Sequence, residues 1–315
     1  MFAVQLRTAI LAAVWLVVGF QFPLKTDPRL QTGPRPDLRV DVPLVLIPAQ
    51  VTTPRGTPVT TLNQENFRLF EDEAEQKITH FASEDAPLSI GLLFDASGSM
   101  RDKMRKSLEA ATEFFKTSGS EDQFFLIEFN ERPKLTVPFT RRSDEIYRRL
   151  LRTRPVGRTS LLDAIHMALL HMKDAPNPRK AIVILSDGGD NHSRYTESEI
   201  KGALQEADVL VYTMGIFKSG DPAKLPREER SGPRLLAELA EQTGGQNFPV
   251  ENLDDLPAVC ERIGAALHNQ YLLGYYPANP ARDGKYHRVK VVLQAPPNMP
   301  PLTVYHRLGY SARPQ

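Results

Sequence analysis

Asp95, Ser97 and Ser99 occupy alternate positions in LLFDASGSM, immediately after an apolar run that reads as a buried strand. In a loop loosened by Gly98, three oxygen-bearing side chains at this spacing can converge on one cation. An all-oxygen donor set suits a hard ion such as Mg²⁺ or Ca²⁺. Taken alone, D-x-S-x-S fits equally well a loop whose hydroxyls cap the next helix. Two other segments add donors of the same kind. IVILSDGGD ends a second apolar strand in Asp187, at the carboxyl end where open α/β sheets hold their ligands. GRTSLLDAI places Thr159 at the mouth of a helix, as an N-cap or as a third hydroxyl ligand.

The elements around these residues alternate. From Leu88 onward, LSIGLLFD, QFFLIEF, KAIVILSD and DVLVYTMGI read as buried strands, with KLTVPF a shorter strand pairing with QFFLIEF and QNFPV a last short one. Between them, DKMRKSLEAATEFFKT carries apolar residues at 104, 108, 111, 114 and 115, the spacing of an amphipathic helix. SDEIYRRLLR reads as a helix opened by a Ser N-cap; TSLLDAIHMALLHM, TESEIKGALQEA, GPRLLAELAEQTGG and LDDLPAVCERIGAAL are helical too. This order predicts an α/β fold with a mainly parallel central sheet and helices on both faces. The flanks have β texture. VDVPLVLIPAQVTT suggests two strands, and FRLFEDEAEQKITHF a hairpin with a polar loop at Glu71 to Gln76. QYLLGYYP, YHRVKVVL and LTVYHRLGY follow the last helix. Isolated hairpins are marginal in water, so the two flanks are expected to pack together as one sandwich-like β module.

Asp95, Ser97, Ser99, Thr159 and Asp187 together match the metal-ion-dependent adhesion site of von Willebrand factor A (VWA) domains, each being a residue type which that family uses. From Leu88 to Leu267 the order of elements also resembles that Rossmann-like fold. The flanking VTTPRGTPVTTLNQENFRLFEDEAEQKITHF and YLLGYYP…DGKYHRVKVVL…YHRLGYSA are similar to the ends of exported VWFA-related proteins of the acidobacterial type. One departure is Glu73, where those proteins usually carry glycine in the hairpin turn. The resemblance implies a bound Mg²⁺ (or Mn²⁺ or Ca²⁺), with Asp187 acting mainly through water and an open position that accepts an Asp or Glu of a partner protein. It also implies a non-enzymatic binding or adhesion module. Residue types support this: hydroxyls are neutral, so only Asp95 and Asp187 offset the ion's charge, whereas an EF-hand loop spends more carboxylates and closes around its ion. Gly188, Gly189, Asp190 and Asn191 would shape the rim, and sliding of the last helix, Leu253 to Leu267, is a family-based expectation.

Other chemistries fit less well. A phosphatase of the haloacid-dehalogenase type needs a second Asp two residues after the first, where this chain has Ser97, so the proton-transfer group is missing. A serine hydrolase needs the leading glycine of G-x-S-x-G, absent from DASGS, and a partnered histidine. His166 and His171 lie five apart on one helix and therefore on different faces. His80, His192, His268, His287 and His306 show no metal-ligand spacing. Cys260 reads as a small buried apolar residue. Tyr271, Tyr275, Tyr276 and Tyr286 read as strand packing. The cluster Arg141, Arg142, Arg148, Arg149, Arg152, Arg154 and Arg158 reads mainly as a solvated helix face, with Arg158 next to Thr159 able to draw in an acidic partner. A scaffold whose metal site goes unused is the remaining alternative.

Composition agrees with a folded globular protein. The 315 residues carry 39 Lys plus Arg against 38 Asp plus Glu, a net charge of +1, which gives no electrostatic footprint for nucleic acid. A single cysteine excludes a disulfide framework and a Cys-rich zinc site. Ala9 to Phe20 is apolar behind Arg7 and reads as an export signal or an uncleaved anchor, the only expected contact with a membrane. The expected organisation is a signal or anchor at 1–24 and a proline-rich linker at 25–39. An N-terminal β segment at 40–86, a VWA domain at 87–268 and a C-terminal β segment at 269–315 complete it.

Overall fold

The computed structural model describes residues 44–217, 227–278 and 284–312. The expected signal or anchor and the linker lie outside these residues. Among the described residues, no helix is long and apolar enough to cross a membrane.

LSIGLLFD becomes β5 (Leu88–Asp95), with all eight residues buried, as a strand covered on both faces requires. It is central in a six-stranded sheet. Its neighbours are β6 (Gln123–Phe129) and β8 (Arg179–Ser186), followed outward by β7 (Pro133–Thr140) on one side. On the other side lie β9 (Leu210–Ile216) and β10 (Asn247–Val250). Every pairing is parallel except β6 with β7. α1 (Met104–Lys116), α2 (Ser143–Leu150) and α6 (Leu256–His268) bury Phe114, Ile146, Leu150 and Ile263 against one face. α3 (Leu161–His171), α4 (Glu197–Glu206) and α5 (Arg227–Thr243) bury Ile165, Ile200, Leu204 and Leu239 against the other. Ser143 is the first residue of α2 and Arg142 its cap position, so the expected serine cap does not form. Thr196 does cap α4, exchanging hydrogen bonds with Glu199.

The flanks interlock strand by strand. β1 (Val45–Thr52), β4 (Ile78–Glu84), β11 (Gln270–Tyr275) and β13 (Thr303–His306) form one sheet in the order β13-β1-β11-β4. β2 (Phe67–Glu71), β3 (Ala74–Gln76), β12 (Tyr286–Leu293) and β14 (Gly309–Ser311) form the second, in the order β14-β12-β2-β3. Ile47, Leu69, Tyr271, Leu273, Val289 and Val291 share the core between them. Three local details differ from the sequence expectation. Within the described residues VDVPLVLIPAQVTT is one strand that runs through Pro48. β13 begins its pairing only at Ala49, and proline is tolerated at such an edge. The hairpin loop narrows to Asp72 and Glu73, with φ of 45° and 71°, the left-handed pair of a type I′ turn. LTVYHRLGY divides between β13 and β14, one strand in each sheet.

His268, at the C-terminal end of α6, places Nε2 3.1 Å from Asp122 Oδ2 and Nδ1 2.9 Å from Asp85 Oδ1. Asp122 also accepts the N–H groups of Leu88 and Gly119 at 2.8 Å. The Asp122 hydrogen bond raises the imidazole pKa against the opposing effect of burial. Burial opposes ionisation of Asp122 as well, yet the bonds from His268, Leu88 and Gly119 hold its carboxyl below the ordinary value. The histidine contribution is therefore full below its unfolded pKa, near 6.5, and is lost as pH rises through the folded value. That of Asp122 is full above about 3.9 and is lost as pH falls through its folded value. Melting curves from pH 6 to 9 should show the wild type losing its advantage over His268→Gln; a constant difference would refute the linkage.

Candidate metal centre

Asp95 is the last residue of β5 and fully buried. The chain then turns, and Ser97 N–H donates to Asp95 Oδ1 at 2.8 Å, which folds the loop back over the carboxylate. Ser97 Oγ comes to lie 3.0 Å from Ser99 Oγ. Thr159 directly precedes the α3 cap residue Ser160 and is buried at 3% exposure. Asp187 directly follows β8, at 5%.

Backbone bonds join the three loops. Val156 N–H donates to Ala96 O at 2.9 Å and Gly98 N–H to Gly157 O at 3.0 Å, which draws the segment before α3 against the Asp95 loop. Asn191 and His192 donate their N–H groups to Thr159 O at 3.1 and 3.0 Å, and Thr159 N–H donates to Asn191 Oδ1 at 3.0 Å. Asp190 accepts the N–H of Leu162 at 3.0 Å, at the start of α3. The rim residues thus act as fasteners, binding the loop after β8 to the mouth of α3. Gly188 has a φ of 76°, and a Cβ there would lie 2.8 Å from the backbone of Gly232, so the start of α5 rests directly on the Asp187 loop.

Two partners went unrecognised in the sequence. Ser186 is fully buried; its Oγ donates to Asp95 Oδ2 at 2.6 Å and accepts Gly188 N–H at 3.0 Å. Lys103 is 5% exposed, and its Nζ donates to Asp187 Oδ2 at 3.1 Å and to Ile216 O at 2.9 Å. Each had a signal. Ser186 is a polar residue that closes the apolar run at residues 181–185. Lys103 continues the buried stripe of α1 through Ser107, Ala110 and Phe114, at helical spacing.

Burial, and then the negative charge of Asp187, push the Asp95 carboxyl up to about 6 against the hydrogen bonds from Ser186 and Ser97. Two buried carboxylates beside paired hydroxyls make an oxygen-only set short of positive charge. The Lys103 ammonium supplies one unit and leaves the group net negative. Such a donor set fits a hard divalent cation.

The fold that carries these loops has counterparts among known proteins. Residues 90–189 match the von Willebrand factor type A domain. The VWA match runs from within β5 to the Asp187 loop; beyond it β9 and β10 complete the sheet, and α4, α5 and α6 pack on its faces. An uncharacterized protein of Borreliella burgdorferi is 24% identical over 204 residues, covering 57% of this chain and 58% of the relative's length. The chain therefore aligns with little more than half of that protein. Among solved structures, a von Willebrand factor type A protein from Catenulispora acidiphila superposes with a TM-score of 0.50 at 13% identity, over 78% of this chain and 75% of that one. Proximal thread matrix protein 1 from the mussel byssus gives 0.50 at 15%, over 63% and 51%. At these identities the likeness is one of fold.

The other candidates resolve into packing. His166 stacks on Tyr195 at 4.0 Å between ring centroids, and His171 packs edge-on against Phe125 and stacks on Phe139. Cys260 is fully buried, its thiol pushed up to about 12 by burial. Tyr271 and Tyr275 are core residues, and Tyr276 is exposed. Of the arginine cluster, Arg141, Arg142, Arg148 and Arg149 pair with Glu121, Glu145, Asp144 and Glu128. Arg158 is exposed beside Thr159. A second group of potential metal donors, Glu71, Asp72 and His287, gathers at the β2–β3 hairpin. Its donors are already engaged: Tyr275 and Tyr310 hydroxyls donate to Glu71, and Asp72 accepts Arg288 N–H and contacts His287 Nδ1 at 2.8 Å.

Proposed function

We propose that this chain is an exported protein-binding module that holds a divalent cation, Mg²⁺ or the similar Mn²⁺ or Ca²⁺, and uses it to capture a carboxylate of a partner protein. The observation that carries this reading is the gathering of Asp95, Ser97, Ser99, Thr159 and Asp187 on three mutually bonded loops at one end of the sheet. Asp95, Ser97, Ser99 and Thr159 would hold the ion, with Asp187 acting mainly through water. When bound, the cation supplies an electrophilic position for an Asp or Glu side chain. The protein's own part is to hold its donors rigid. Ser186 fixes one Asp95 oxygen and the Ser97 N–H the other, so this carboxylate needs little reorganisation to receive charge. Arg158, exposed at the rim, draws acidic partners towards the site. The apolar segment at 9–20 supplies the export signal or anchor.

Calorimetric titration of the full chain with Mg²⁺, Mn²⁺ and Ca²⁺, wild type beside Asp95→Ala, tests the site. The expected result is one saturable site that disappears in the variant. Equal binding by both chains would place the metal elsewhere, and no binding by the wild type would favour a scaffold.

A further inference from the structure

Lys103 brings to this pocket a positive charge that the donor pattern does not require. Its side chain is 6% exposed, and it bridges Asp187 on the β8 loop to the Ile216 carbonyl at the end of β9. A buried ammonium demands a full set of partners. This one finds two of them within 3.1 Å, one an acidic residue of the proposed metal site. We infer that Lys103 is a tethered cation that competes with the divalent ion for the charge of Asp187. The inference rests on the metal-binding reading above.

The reasoning is electrostatic. Asp95 and Asp187 carry two negative charges and Lys103 one positive charge. The pocket without metal therefore carries a net charge of −1, with half of its acidic charge already neutralised by the ammonium. On binding, a divalent cation meets a like charge a few ångströms away, in surroundings where water screens little. That repulsion weakens metal binding. The same positive charge leaves the loaded site with a net charge of +1 instead of 0, which strengthens its hold on an outside carboxylate. Lys103 thus exchanges metal affinity for ligand affinity. Its tie to Ile216 adds a geometric constraint: Asp187 Oδ2 stays engaged with the ammonium, consistent with a carboxylate that reaches the ion through water.

A purely structural lysine, needed only to orient Asp187, predicts the opposite sign, because its loss would loosen a donor and weaken metal binding. Calorimetric titration of the full chain with Mn²⁺ therefore decides the matter, comparing wild type with Lys103→Met and Lys103→Arg. The expected result is at least tenfold tighter Mn²⁺ binding by Lys103→Met, with Lys103→Arg within about threefold of wild type. In a second arm, acetate titrated into the Mn²⁺-saturated proteins should bind more weakly to Lys103→Met. Should Lys103→Met be unfolded in chelator, its Mn²⁺ affinity is read in an osmolyte that refolds the chain without metal, and tighter binding than wild type there is the supporting outcome. Mn²⁺ binding by Lys103→Met that equals or falls below wild type overturns the inference and leaves the metal site standing. So does a chain that stays unfolded at saturating Mn²⁺ in the osmolyte. A wild type that takes up no Mn²⁺ overturns the metal reading itself.

Discussion

In chelator at neutral pH, Asp95→Asn should be more stable than wild type by up to about 3 kcal/mol, while binding no divalent cation. The carboxyl is fully buried and its pKa stands at about 6 against an ordinary 3.8, owing to burial and then to the charge of Asp187. A raised carboxyl pKa means that the fold disfavours the ionised form. The cost is absent below about 3.8, grows as pH rises, and is complete above about 6, where it corresponds to the figure given. The amide escapes this cost and still accepts the Ser97 N–H through its oxygen, while its NH₂ turns to Ser186 Oγ. Urea titrations in chelator at pH 7.5 and pH 4.5 measure the effect. The variant's advantage should be large at the higher pH and small at the lower, and saturating Mg²⁺ should reverse it in favour of the wild type. Destabilisation of the variant at pH 7.5 in chelator would show that the carboxylate contributes to the metal-free fold. A site that costs stability until it is occupied is the signature expected of donors arranged for a ligand rather than for folding.

Gly244→Ala should cost about 3 kcal/mol, from left-handed strain and overpacking together. α5 ends in a Schellman motif, with Gly244 N–H bonded to Glu241 O and Gly245 N–H to Ala240 O, both at 3.1 Å. Gly244 takes the left-handed conformation that this motif needs, with φ of 83°, and a Cβ there would stand 2.3 Å from Arg307 N and 2.4 Å from His306 C. The obstruction is backbone, which cannot rotate away. His306 and Arg307 lead from β13 to β14, and Arg307 also donates to Gln205 O at 2.8 Å. The substitution therefore strikes the junction between the central α/β layers and the β module. Chemical denaturation should show the loss, with Gly202→Ala in α4 as control. A Cβ at Gly202 meets nothing within 4 Å, and helix propensity predicts a gain of about 1 kcal/mol there. A neutral Gly244→Ala would mean that the two layers adjust freely at this contact.

The legibility of the chain followed the range of the interactions. β5 and β8 could be read from runs of apolar residues, and α1 from positions 104, 108, 111, 114 and 115, because burial on a strand or helix imprints a local period. Local turn chemistry was harder. The Asp72–Glu73 turn takes two positive φ angles without a glycine, and Ser143 stands inside α2 instead of capping it. LTVYHRLGY splits between two sheets at a point where its pattern shows no break.

Local pattern alone placed the candidate oxygen donors at the ends of strands. Asp95, Ser97, Ser99 and Asp187 follow runs that only a buried parallel sheet explains, and the carboxyl ends of such strands are where their loops meet. Only the tertiary structure decided which side chains govern those donors. Ser186 reaches Asp95 across 91 residues and Lys103 reaches Asp187 across 84. Likewise β1 pairs with β11, and β2 with β12, across nearly the whole described chain. Periodicity reports which face of an element is buried, because that depends on a residue and its near neighbours. What the face is buried against depends on strand order and register, and these emerge only when the chain closes on itself.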